Sequence, residues 1–89
     1  MSDPTTPTSP EEIGVWLRAS LAEVLDLPEA DVQLTSELGD DLDADSIDLT
    51  DVINRIERRY DVAIDDHEIA DLRTVADLVD LVQRAIARR

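Results

Sequence analysis

SELGDDLDADSIDLTD, residues 36–51, packs seven acids and no base into 16 residues, with Ser46 near its middle. Asp45 is a favourable N-cap, and Asp48 falls in the first turn that would follow it, where the positive end of a helix favours an acid. The segment therefore predicts a helix entered at Asp45. Leu49, Val52, Ile53, Ile56 and Tyr60 recur at helical spacing beyond it and supply the apolar stripe that would bury one face.

Upstream, Glu29 to Asp45 forms a long acidic connection. Leu27, Val32, Leu34, Leu38 and Leu42 are too irregularly spaced for a helix and read as pegs pinning a loop to a core. Structureless loops of this length are uncommon and often functional. Before it, Ile13, Trp16, Leu17, Leu21, Val24 and Leu25 mark one face of a first helix, with Trp16 assigned to the core. Ser9 is its N-cap, Pro10 its first residue and Glu12 the closing acid of a capping box, while Pro28 is its latest end. Residues 1–8, MSDPTTPT, have no periodic apolar residues and are expected to be a disordered tail.

Downstream, Asp61 to Asp66 reads as a turn with Val62 and Ile64 inward, and Asp66 to Leu72 as one or two helical turns. Thr74 caps a last helix carrying Val75, Leu78, Val79, Val82 and Ile86, whose final turn sets Arg84, Arg88 and Arg89 against the negative carbonyl end. No segment alternates as a strand would. The expected fold is all-α: a small four-helix bundle over residues 9–89, three main helices and a short one, with a long loop between helices one and two.

The chain's 89 residues suit one domain, and the absence of cysteine excludes a disulfide framework or a thiolate site. Eight arginines, no lysine and 22 acids give a formal net charge of −14. Such a chain repels phosphates and attracts basic protein surfaces, so nucleic acid is excluded as a partner. No apolar run reaches the roughly 20 residues of a membrane span, and no signal peptide is evident, so a cytoplasmic monomer that does not engage the membrane is expected.

Three chemistries compete for the acidic segment. Asp41, Asp43 and Asp45 match the first, third and fifth positions of a calcium loop, but Ser46 stands where its glycine belongs and Val52 where its closing glutamate belongs. Only loose divalent binding is left, and no metal site is assigned. A purely structural reading makes Asp45 and Ser46 a helix cap. Ser46 has no base of its own, since the one histidine, His67, lies in another segment and is assigned to the surface. In the third reading another enzyme activates Ser46, and a phosphate esterified there sits at a helix amino end, with carboxylates helping to hold magnesium during transfer.

Asp41-Leu42-Asp43-Ala44-Asp45-Ser46-Ile47-Asp48, followed by an amphipathic helix, resembles the acyl carrier protein signature D-L-G-x-D-S-L-D, and the layout of residues 10–87 is similar to that family throughout. The resemblance implies a non-catalytic carrier. A phosphopantetheinyl transferase would move 4′-phosphopantetheine from coenzyme A onto Ser46, with magnesium needed only then and Asp45 assisting. The arm's thiol, which this cysteine-free chain lacks, would carry acyl groups as thioesters between enzymes of a fatty-acid or, in preference, polyketide or other secondary pathway. Ketosynthase, acyltransferase and other synthase enzymes with basic docking patches would meet Ile47, Asp48, Thr50, Asp51, Asn54, Glu57 and Arg58. Asp43 replaces the usual glycine, Ile47 the usual leucine and Leu38 a frequent phenylalanine. Asp43 is tolerable because Asp enters left-handed backbone more readily than most residues. Arg58 stands where the family often has an acid, which points to a specialised carrier. Two other readings are a D-alanyl or peptidyl carrier, and an unmodified acidic adaptor for a basic protein.

Overall fold

A computed structural model describes residues 9–88. Four helices follow in order: α1 (Pro10–Leu25), α2 (Ser46–Tyr60), α3 (Asp66–Ala70) and α4 (Val75–Arg88), with a single 3-10 turn (Glu29–Asp31) in the long loop. No strand occurs among the described residues, as the absence of alternation implied. The expected tail and Arg89 lie outside the described residues.

Each helix starts where a side-chain oxygen can take an orphan amide. Ser9 accepts the Glu12 N–H at 3.2 Å, the hydroxyl half of the expected box. Thr74 accepts the Asp77 N–H at 3.2 Å, and the Asp77 carboxylate returns to the N–H groups of Thr74 and Arg73, both at 3.0 Å. Those two amides hold the Asp77 carboxyl below its ordinary pKa. α1 and α2 end on Asp26 and Asp61, each left-handed at φ 56°, with cap N–H groups returning to Ala22 and Glu57.

α1 packs against α4 and α2. Ile13, Leu17 and Leu21 from α1, Val52 and Ile56 from α2, and Val75, Leu78, Leu81 and Val82 from α4 are fully buried. The loop is pinned to this core by Val32, Leu38 and Leu42. It is also stitched by its backbone to the α3–α4 connection. Leu38 N–H reaches Arg73 O at 2.7 Å, Val75 N–H reaches Ser36 O at 3.1 Å, and Ala76 N–H reaches Leu34 O at 2.9 Å.

Several sequence expectations change. Leu34 is 47% exposed, with its side chain lying beside Gly14 of α1 and its carbonyl bonded to the Ala76 N–H. Trp16 is only half-buried, set edge-on to Tyr60 with ring centroids 5.5 Å apart. Leu81 and Ala85 are buried while Ile86 is half-buried, so the covered arc of α4 is wider than the one stripe expected. Arg84 is exposed and lies before the last turn, and Arg88 leaves the helix end to grip Glu68 at 2.7 and 3.0 Å.

Glu68 therefore fastens the short α3 to α4 while also accepting the Asp65 N–H at 3.2 Å. Its pKa is held at about 2, chiefly by Arg88 and then by the Asp65 amide. A carboxyl lowered by folding stabilises the fold above its unfolded pKa, and that contribution fades as pH falls toward the folded value. Glu68→Gln is expected to flatten the loss of stability between about pH 4.5 and 2. It should also speed hydrogen exchange of the α3 amides more than those of α1, both read by NMR.

Candidate functional site

The entrance to α2 is built by acids acting on main-chain amides. Asp45 accepts the Asp48 N–H at 2.9 Å and Asp48 accepts the Asp45 N–H at 3.2 Å, a reciprocal box made from two aspartates. The loop feeding it is wired in the same way. Asp41 accepts the Glu37 N–H at 2.8 Å, Ala44 N–H reaches Leu38 O at 2.8 Å, and Asp43 takes φ 55°, the left-handed conformation that the sequence allowed for.

This wiring presents Ser46 at the first helical position, exposed to solvent. Asp45 takes the Asp48 amide, so by helical geometry the Ser46 and Ile47 N–H groups have no acceptor within α2. His67 is exposed on α3, a different element. Asp41 and Asp45 face amides, and no three acid, histidine or cysteine side chains gather to hold a metal among the described residues.

The other candidate residues divide into two groups. Ile47 is 77% exposed, and Thr50, Asp51, Asn54 and Arg58 are exposed along the same helix, with Thr50 Oγ1 donating to Ser46 O at 2.8 Å. Ser46, Ile47, Thr50, Asp51 and Asn54 line one open depression. Asp48 and Glu57 are half-buried and serve the fold: Asp48 closes the box, and Glu57 accepts the Ile64 N–H at 3.0 Å. Sequence reasoning passed over Arg55, which joins Asp51 at 3.4 Å to Glu23 of α1 at 2.7 Å, and Arg59, which lies over Trp16. Only the Asp51–Arg55 spacing was there to be found, as an i,i+4 ion pair.

A phosphate ester fits this place. The hydroxyl is exposed, two amides without a helical acceptor and the positive helix end lie beside it, the Asp45 and Asp48 carboxylates are engaged with amides, and Asp51 is paired with Arg55. The open depression leaves room for an arm leaving Ser46 along α2.

The family described as "Phosphopantetheine attachment site" matches residues 15–82. The chain is 39% identical to an acyl carrier protein of Acidothermus cellulolyticus over 77 residues, 86% of this chain and 92% of that one. It is 33% identical to an acyl carrier protein of Thermotoga maritima over 78 residues, 88% of this chain and 96% of the relative. It is also 32% identical to the meromycolate extension acyl carrier protein of Mycobacterium tuberculosis over 78 residues, 88% of this chain and 68% of that protein.

The cap and the serine should separate in their energetics. Asp45→Ala removes an amide partner and is expected to cost about 1 kcal/mol in urea unfolding. Ser46→Ala changes an exposed hydroxyl and should stay within about 0.5 kcal/mol of the parent.

Proposed function

Because this chain belongs to the acyl carrier protein family, we propose that Ser46 is the residue that bears its 4′-phosphopantetheine. Members are non-catalytic carriers, modified by a phosphopantetheinyl transferase and working with synthase enzymes. The carrying observation is the exposure of Ser46 at the first position of α2, beside two amides without a helical acceptor. When attached, the group supplies a thiol for thioester chemistry, which a chain without cysteine cannot offer. The protein's own contribution is placement. The Asp45–Asp48 box fixes the direction of the serine, and the helix end offsets phosphate charge. Asp45 stands one residue before Ser46, so its carboxylate is the one assigned to assist magnesium during transfer.

We further propose that the carrier serves a dedicated pathway, polyketide or another specialised acyl assembly, in preference to general fatty-acid synthesis. Arg58 supports this. It projects to solvent on the α2 face that also presents Ile47, Thr50, Asp51 and Asn54, and it would repel a basic docking patch at that point. One relative, in Mycobacterium tuberculosis, is named for meromycolate extension, so a dedicated role has a precedent among similar chains.

Intact mass tests the attachment. After incubation with coenzyme A, magnesium and a broad-specificity phosphopantetheinyl transferase, the parent is expected to gain one arm and Ser46→Ala none. A gain by the variant would move the site elsewhere. For the pathway, Arg58→Glu is expected to raise kcat/KM with fatty-acid synthase enzymes several-fold and to leave transfer by the transferase unchanged. Unchanged turnover with those enzymes would remove the argument from Arg58.

A further inference from the structure

Two i,i+4 ridges of α2 lead away from Ser46. Ser46, Thr50, Asn54 and Arg58 form one ridge, and Ile47, Asp51, Arg55 and Arg59 form the other. One open depression lies between them beside Ser46. A second opens between α1 and α2, lined by Trp16 and Ala19 of α1 and by Arg58 and Arg59 of α2, and Asp51 borders both.

Positive charge is scarce in this molecule, yet three of its eight arginines line that second depression, beside Glu23 and Asp51. Their situations differ. Arg55 is paired with Glu23 and Asp51. The Arg59 guanidinium lies 5.3 Å from the Trp16 ring centroid and 5.7 Å from that of Tyr60, an arrangement that orders the side chain and leaves its charge in place. Arg58 is exposed and takes part in none of the ion pairs among the described residues.

We propose that the side of this second depression formed by Arg58, Arg59 and Trp16 binds the negatively charged end of an acyl group carried on the same molecule, so that the preferred cargo bears a carboxylate. This rests on attachment at Ser46. Length supports it: Ser46 and Arg58 are twelve residues apart on α2, about 18 Å along the axis. The arm has two amides and, with a short acyl group, a backbone comparable to five or six extended residues, on the order of 20 Å. Chemistry supports it as well. Guanidinium groups match a carboxylate in geometry and charge, and Trp16 with Ala19 offers an apolar wall to the methylenes before it. A charged acyl end could not enter the aliphatic core without a large desolvation cost, whereas this site keeps it at the surface.

Trp16 is the only tryptophan and sits inside the proposed site, so it reports directly. The holo protein would be loaded with hydrolysis-resistant malonyl and acetyl amide analogues, after intact mass has shown the arm on Ser46. Trp16 emission and the Trp16 indole and Arg59 Nε–H signals would then be compared between the two cargoes. A difference that disappears in Arg58→Gln and in 0.5 M NaCl, each form being referenced to its own acetyl state, is the expected result. Identical spectra for the two cargoes, or a difference that survives either Arg58→Gln or 0.5 M NaCl, would overturn the cargo site while leaving Ser46 attachment intact. Failure of Ser46 to gain the arm would overturn both.

Discussion

Carboxylates that accept main-chain N–H groups hold the joints of this molecule. Asp41 takes Glu37, Asp45 and Asp48 take each other, Glu57 takes Ile64, Glu68 takes Asp65, and Asp77 takes Thr74 and Arg73. Hydrogen bonds to an ionised acceptor are stronger than neutral ones. With 22 acids and eight arginines, ion pairing alone could not satisfy the negative charge. The chain instead turns its acids on its own backbone, at helix starts and turns where amides would otherwise lack partners. The aliphatic core stabilises the bundle, and acid-to-amide bonds mark the starts of α2, α3 and α4, while a serine hydroxyl caps α1.

The functional entrance follows from the same constraint. Ser46 is presented because Asp41, Asp43, Ala44, Asp45 and Asp48 leave the chain before it little freedom. Its neighbours are acidic, and three of them, Asp41, Asp45 and Asp48, hold their carboxylates on main-chain amides, while the positive helix end lies beside a phosphate placed on Ser46. The molecule's field is uneven as well. The first turn of α2 is acidic, while its last turns carry Arg55, Arg58 and Arg59. A partner surface must match this mosaic in register, which gives orientation as well as attraction.

The helices were legible in the sequence because cap and period agreed at each one: Ser9 before Ile13, Asp45 before Leu49, Thr74 before Val75. Ser46 was legible for a different reason, a motif whose likeness to a known family no periodicity could supply. What stayed hidden was long-range or two-sided. Glu68 meeting Arg88 spans 20 positions and Glu23 meeting Arg55 spans 32, and nothing local announces either pairing. Leu34 and Trp16 looked like core because they are apolar, but both stay partly exposed, and the geometry also uses the carbonyl of one and a perpendicular ring contact of the other. Glu57 looked like open surface until the turn after α2 brought the Ile64 amide to it.

The three left-handed residues, Asp26, Asp43 and Asp61, bear on how the chain can change over generations. Glycine normally holds such places, yet neither of this protein's glycines has positive φ. Gly39 would meet nothing within 4 Å if it gained a Cβ. The usual expectation about variability is therefore inverted. Gly39 is open to drift, whereas the three aspartates admit asparagine or glycine and resist β-branched replacement for reasons of backbone alone. A designer who kept Gly39 and varied the acids as interchangeable surface charge would preserve a position that matters little and unsettle two helix ends and the approach to Ser46.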